Sequence, residues 1–430
     1  MIIKKIRKQN NFTFINMLEN LLIWIIALTS IALIIIRPFK LAEFYWTLGG
    51  SFLLLLFQLV TPTDAFAGVM KGMDAYLFIG GMMLISEIAR REKLFDWLAA
   101  IAVSYSNGSG FRLFIGIYLV GVLTTIFLSN DATIVVLTPA VIVAVRAAKI
   151  KNPLPFLFIC AFVANAASFV LPISNPANIV VYGKDLPPLE SWLRQFALPS
   201  IVAVVVTFIC LYFNQRRNIN LPIERNIAIP PLSNDAKISF IGIGFAAVVL
   251  LVCSALGYDL GLPTAMSSIA LLLIIILKKG TTELKLLQHI SWGVLPMIAG
   301  LFIIVEGLMK TGLLQFMHHA LEKGLAQSET QTTWLSGVGI GFLSNVMNNL
   351  PAALAVSDVV QAGVPEIIKR AMLIGIDLGP NLSITGSLAT ILWIVILRKE
   401  GIEISAWQFL KIGWIVMLPA LLLSIAVLWV

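Results

Sequence analysis

Apolar runs follow one another along the chain, each closed by a short polar or charged stretch. The first two cover residues 17–36 and 43–61, close to the ~20 residues a helix needs to cross a bilayer. Two runs break the pattern. In the run from Leu113 to Val145, the polar residues Ser129, Asn130, Asp131 and Thr133 stand in the middle. An Asp at mid-membrane depth costs about 3 kcal/mol, so this tip should face a protein-lined cavity rather than lipid. Apolar arms around a polar tip predict a re-entrant hairpin, because non-helical backbone at that depth is tolerated only where it is enclosed or lines a cavity. The same pattern returns over residues 332–361, with a tip running from Asn345 to Pro351.

Two other runs are interrupted by proline and glycine. A helix beginning near Phe156 breaks at Leu171-Pro-Ile-Ser-Asn-Pro-Ala-Asn178, and one beginning near Ala371 breaks at Asp377-Leu-Gly-Pro-Asn-Leu-Ser-Ile-Thr-Gly-Ser387. Proline removes an amide donor and disrupts the helix ladder. The freed carbonyls and the following helix N-terminus become available to a ligand.

The landmarks of the two halves correspond. Matching Asn130-Asp131 to Asn348-Asn349 gives an offset of 348 − 130 = 218, which also pairs Gly121 with Gly339. Gly81-x5-Glu87 matches Gly300-x5-Glu306 at 300 − 81 = 219. Polar, interrupted segments at corresponding places in two halves point to a transporter's binding site. The predicted fold is an all-α polytopic membrane protein of two inverted repeats. Each repeat has five transmembrane helices plus one re-entrant hairpin, with broken helices at a central site. Residues 1–213 form the first repeat, 214–237 a linker, and 238–430 the second.

Composition agrees. Hydrophobic residues make up 59% and charged residues 12%, against ~25% charged in soluble domains. The net charge of +8 is that of loop lysines and arginines facing the cytoplasm and anionic lipid, not of a nucleic-acid binder. Residues 17–36 follow Lys4, Lys5, Arg7 and Lys8, yet the run is too long for a signal-peptide core and no small-x-small site follows. There is no phosphate-binding G-x4-G-K-[ST], no H-E-x-x-H and no G-x-S-x-G, so neither ATP hydrolysis nor the common hydrolase chemistries are expected. The adjacent His318 and His319 point to different helix faces, which is poor metal geometry. Cys160, Cys210 and Cys253 lie far apart in apolar runs, which argues against a disulfide framework. No enzyme, cofactor or metal is called for, and energy must come from an ion gradient or a partner.

At these motifs the sequence resembles the arsenite efflux membrane subunits, the ArsB family of the ion transporter superfamily. The matching text is Ser129-Asn-Asp-Ala-Thr133 with Thr138-Pro139, Ser174-Asn175 with Asn178, Asn348-Asn-Leu-Pro351, and Asp377 through Trp393. The resemblance implies a multi-pass protein of the inner membrane that exports the trivalent hydroxides of arsenic and antimony. It implies proton antiport, or a soluble ATPase subunit where one exists.

A neutral trihydroxide needs hydrogen-bond donors and acceptors rather than fixed charge. Asn130, Asn175, Asn178, Asn348, Asn349, Asn381, Ser383 and Thr385 supply them and are the expected substrate ligands; helix capping and hairpin bracing are the competing role for the asparagines. Asp131 is the first choice for proton carrier. Glu87, Glu306 and Asp377 come next, although Glu87 could equally pair with Arg90 or Arg91 one turn away. The alternatives are a dicarboxylate or other anion carrier, proton- or sodium-coupled, and a passive channel subunit of an ATP-driven arsenite pump. A carboxylate substrate would want a cation at the site, and Lys184 is the nearest to the breaks.

Overall fold

The computed structural model describes the chain apart from residues 1, 37, 183–185, 220–222, 224–230, 257, 291 and 361–363. Lys184 and part of the predicted linker therefore lie outside the described residues. The regular structure is helical. In order the helices are α1 (Ile2–Ile36), α2 (Glu43–Leu56), α3 (Pro62–Lys71), α4 (Met73–Arg91), α5 (Leu94–Tyr105), α6 (Gly110–Leu128) and α7 (Asn130–Ala147). Then come α8 (Leu154–Ala166), α9 (Pro176–Tyr182), α10 (Leu189–Ile219), α11 (Asn234–Ala255), α12 (Gly261–Lys279) and α13 (Val294–Lys310). The last six are α14 (Leu313–Gln327), α15 (Glu329–Met347), α16 (Asn349–Val359), α17 (Glu366–Leu378), α18 (Leu388–Lys399) and α19 (Ala406–Ala426). Among the described residues six helices are long and apolar enough to cross a membrane, and the consecutive pairs α3–α4 and α13–α14 pass the same test together. Of the other expected crossings, the one over 238–256 is the unbroken 22-residue α11, and the rest are shorter or broken helices.

Both predicted hairpins turn on one residue. Ser129 (φ 127°) separates α6 from α7, and Asn348 (φ 74°) separates α15 from α16. The Thr125 and Thr133 hydroxyls are 2.9 Å apart across the first break. Eight residues of straight helix would span about 12 Å, so the chain folds back there. The arms of this hairpin have 19 and 18 residues, longer than the short arms the sequence suggests, and each is long enough to span a bilayer. The second hairpin has arms of 19 and 11. Ser109 and Ser328 cap α6 and α15, accepting from the backbone amides of Arg112 and Gln331.

The two breaks align at 348 − 129 = 219, one residue away from the match of asparagines. That register sets Asn130 against Asn349, and Asp131 against Leu350. It also dissolves the Gly121–Gly339 pairing: a Cβ on Gly121 would meet Val163, whereas Gly339 has nothing within 4 Å.

Two compact units form, and each draws on both halves of the sequence. The first contains residues 1–73 and 292–327. Its core joins Ile23, Ile26 and Ala27 of α1 with Leu54, Val60, Ala65, Ile303, Ile304 and Leu308. There α2 and α13 cross closely, because a Cβ on Gly300 would lie 2.8 Å from Thr47. Ser51 donates to the Gly300 carbonyl at 2.9 Å across this crossing.

The second unit contains residues 74–291 and 328–430. In it Gly81 of α4 lies as close to Thr264 of α12, with 2.9 Å for its Cβ. Four glycines form another crossing. Gly337 and Gly341 of α15 face Gly375 and Gly379 at the end of α17, the small-x3-small pattern that lets membrane helices touch through their backbones. This contact fixes the second hairpin against α17.

Candidate functional site

All four interruptions lie in the second unit, and side-chain hydrogen bonds link them. The first broken helix, α8–α9, is interrupted by a tight turn at Pro172–Ser174. Ser174 donates to the Ile126 carbonyl at the end of α6 (2.9 Å), tying this break to the first hairpin tip. The second broken helix, α17–α18, is interrupted by a turn at Gly379–Leu382 and a second turn over residues 384–386. Asn345 ties this break to the second hairpin. Its amide donates to the carbonyls of Gly341 (2.8 Å) and Gly379 (3.0 Å), and its oxygen accepts from Ser383 (2.7 Å). Asn348 donates to the Thr385 carbonyl (3.2 Å), and the Asn349 backbone amide donates to Gly386 (2.9 Å).

The two breaks also join each other. Asp377, fully buried, places one oxygen 2.6 Å from the Ser168 hydroxyl, and the same oxygen accepts from Asn175 (2.5 Å). Asn165 donates to the Asn381 side chain at 3.0 Å. Helix α7 packs on α18 and α16 on α9, so each hairpin meets the second half of the broken helix belonging to the other half of the sequence. The N-termini of α7 and α16, at Asn130 and Asn349, bring the positive ends of two helix dipoles to the tips.

The expected ligands therefore play different parts. Asn381 has both ends of its amide occupied, its Nδ2 donating to Phe162 and its Oδ1 accepting from Asn165. Asn178 donates to the carbonyls of Ser168, Leu171 and Pro172, which holds the backbone of the first break. Asn175 accepts from the Ala177 amide as well as donating to Asp377. Ser383 and Thr385 both bind Asn345. Asn130 and Asn349 are buried at the two tips.

Around these breaks and tips, five buried polar atoms have no hydrogen-bond partner among the described residues: Asn130 Nδ2, Asn165 Oδ1, Asn178 Oδ1, Asn348 Oδ1 and Asp377 Oδ2. Leaving such a group unpaired costs ~1–3 kcal/mol, so a cluster of five calls for a specific explanation. Asp131 is 7% exposed, and no hydrogen bond or ion pair reaches its carboxylate among the described residues.

The other two candidate acids sit elsewhere. Glu87 on α4 forms a two-pronged pair with Arg90, at 2.9 and 2.6 Å. Glu306, in the first unit, pairs with Lys71 at 2.8 Å. Three contributors were missed in the sequence: Asn165, Ser168 and Asn345. Asn345 stood inside the quoted tip, and an asparagine in the apolar helix α8 was a signal for Asn165. A serine at a helix end gives no signal of its own.

Comparison with known proteins sets this geometry in context. The family model of citrate transporters (CitMHS) matches residues 17–379. The chain belongs to that family. It is thus a multi-pass membrane transporter and not an enzyme.

The relatives of this transporter include the arsenical pump membrane protein of Escherichia coli K12, 28% identical over 93% of this chain and 96% of that protein. The protein of the same name from Yersinia enterocolitica is 29% identical over 81% and 84%. An uncharacterized transporter of Mycobacterium tuberculosis is 26% identical over 89% and 92%. The likeness to arsenite efflux subunits read from the motifs thus extends along nearly the whole transporter. Among solved structures, the YdaH transporter of Alcanivorax borkumensis superimposes with a TM-score of 0.49 at 12% identity, covering 85% and 86% of the two chains.

Proposed function

We propose that this transporter exports arsenite and antimonite as neutral hydroxides, in exchange for protons, by alternating access. The observation that carries the reading is the character of the site. Amides, hydroxyls and helix N-termini surround two buried acids, Asp131 and Asp377, and no Lys, Arg or His is bonded to any of the four breaks among the described residues. A trihydroxide can donate to Asn348 Oδ1 and Asn178 Oδ1 and accept from Asn130 Nδ2, all unpartnered. The names of the relatives agree with this cargo.

Asp131 stands at the N-terminus of α7 beside Asn130 and has no cation to balance it. It can be neutral when it carries a proton and charged when it does not, which is what a coupling residue must do. Two inverted repeats, 1–213 and 238–430 joined by 214–237, account for the shared offsets. The 219-residue offset of the breaks, of their capping serines and of Gly81 and Gly300 supports the duplication.

The test is arsenite uptake into everted vesicles energised by a proton gradient. Asp131→Asn should abolish the dependence on the gradient while leaving the protein folded. Unchanged proton-driven uptake in that variant sinks the assignment. A second reading, a carboxylate carrier, is favoured by the name of the matching family; citrate-driven, arsenite-independent uptake would establish it. A passive channel serving a soluble ATPase would show neither counterflow nor dependence on protons.

A further inference from the structure

The bonds around Ser168 do not balance if Asp377 is ionised. The Ser168 hydroxyl lies 2.7 Å from the Asn165 carbonyl and 2.6 Å from Asp377 Oδ1. A hydroxyl has one hydrogen to donate, and an ionised carboxylate and a carbonyl are both acceptors only. Both short contacts can be hydrogen bonds at once only if Asp377 itself donates. Its Oδ1 then gives a proton to Ser168, and Ser168 gives its own to Asn165.

The surroundings agree. Asp377 is fully buried, and no cation bonds to it among the described residues. The elements packed against α17 are α8, α9, α15, α16, α19, the turn at Gly379–Leu382 and the short helical turn Val427–Trp429. Their titratable and charged groups are Cys160, Tyr182, Glu329, Asp358 and Lys411, joined by Glu366, Lys369 and Arg370 on α17 itself. None of them makes a hydrogen bond or ion pair to Asp377 among the described residues. A lone charge in such a place is very costly, and a proton is the smallest group that removes it.

We propose that Asp377, seated among Ser168, Asn165 and Asn175, is a second proton-binding site of this transporter, separate from Asp131, and that its occupancy sets which way the Ser168 hydroxyl points. Asp131 belongs to the first hairpin, whereas Asp377 closes the first half of the second broken helix. When the proton leaves, the O–H bond at Oδ1 breaks, the electron pair stays on the carboxylate, and water takes the proton. The Ser168 hydrogen then turns from the Asn165 carbonyl to Asp377, and the hydroxyl link to the end of α8 is lost. Proton release at Asp377 therefore reverses the hydrogen bond between the two broken helices and frees the Asn165 carbonyl at the end of α8. Ser168 and Asn165 are positioning residues for this proton.

The inference rests on the reading of the chain as proton-coupled but not on its cargo, so it is tested without arsenite. The purified transporter in lipid nanodiscs is titrated with pH while infrared difference spectra follow protonated carboxyl groups. Wild type should show two titrating carboxyl bands. Asp131→Asn should remove one and Asp377→Asn the other. Ser168→Ala keeps the acid and should shift the frequency and midpoint of the Asp377 band alone, which gives an answer even if Asp377→Asn does not fold. A spectrum in which Ser168→Ala moves nothing, or in which the Asp377 band is present at every pH, overturns the proposal. So does a band that follows sodium at fixed pH and ignores protons.

Discussion

The glycine crossing of α15 and α17 offers a sharp test of how the site is held. A methyl group on Gly375 would stand 2.2 Å from the Gly337 carbonyl oxygen and 3.0 Å from the Gly341 nitrogen. Both obstacles are backbone, so neither can swing aside as a side chain would. Relief requires the helices to part by about 1 Å, and a gap of that size forfeits a quarter to a half of each contact along the seam. Overpacking of this kind costs ~1–3 kcal/mol, and rigid obstacles put Gly375→Ala near the top of that range. At about 2–3 kcal/mol the folding equilibrium moves roughly 30- to 160-fold. The functional cost should exceed this, because α17 carries Asp377 and its bonds to Ser168 and Asn175 are 2.6 and 2.5 Å long. Neither bond survives a shift of that size.

Gly339→Ala is the control. It lies on the same helix α15, has nothing within 4 Å of its Cβ position, and removes a poor helix former, so it should be neutral or slightly stabilising. The assay heats fluorescent-protein fusions in detergent and reads the monodisperse fraction by size-exclusion chromatography, alongside arsenite export from cells. If Gly375→Ala melts with wild type while Gly339→Ala melts lower, the description of this crossing is wrong.

Two further outcomes separate roles within the acids and asparagines. Glu306→Gln breaks a pair with Lys71 whose side chains are 20% and 51% exposed, worth about 0–1 kcal/mol. It should leave melting temperature and proton-dependent export close to wild type; loss of proton dependence would move the proton path to the first unit. Asn130→Ala removes an unpartnered Nδ2 and one short-range bond, from the Asp131 backbone amide to Oδ1, whereas Asn381→Ala strands Asn165 Nδ2 and the Phe162 carbonyl. The first should weaken apparent arsenite affinity with little change in melting, and the second should lower melting by the ~1–3 kcal/mol of newly unpaired buried groups. The reverse pattern, read from dose–response curves and thermal melts, would exchange the parts of the two residues.

Much of this fold is legible in the sequence because a membrane enforces simple rules. Apolar runs must be helices, and polar residues inside them must face protein. Those rules locate α6–α7, α15–α16 and both broken helices with small boundary errors. They misjudge what depends on a single backbone angle. The tips turn at Ser129 and Asn348, which share a positive φ and no side-chain chemistry, so matching asparagines put the register one residue off. The stretch after Pro62 reads as a connection, yet proline at the first turn and the Thr61 cap make it helix α3. Site residues were easiest to find where polarity interrupted a run. Ser168 was hidden because it is a single serine just past the end of an apolar helix, and only its partner across the fold gives it meaning.

The proposed duplication would also account for where the two acids stand. Helices α8 and α17 each have 13 residues and begin 366 − 154 = 212 residues apart, so Asn165 and Asp377 fall at the same place in the two halves. Both reach Ser168, one through its backbone carbonyl and the other through its carboxylate. Two acids there would put like charges into one apolar core or bind two protons at one point. An amide opposite an acid keeps the hydrogen bonds and leaves one charge to neutralise. At the hairpin tips the offset of 219 sets Asp131 against Leu350, so the acid is again present once. Each half thus carries one buried acid without a cation partner among the described residues, at a different landmark: the first at its hairpin tip, the second at its broken helix. Under the proposed mechanism, two like halves would alternate between two faces of the membrane, while protons would need to bind only at Asp131 and Asp377.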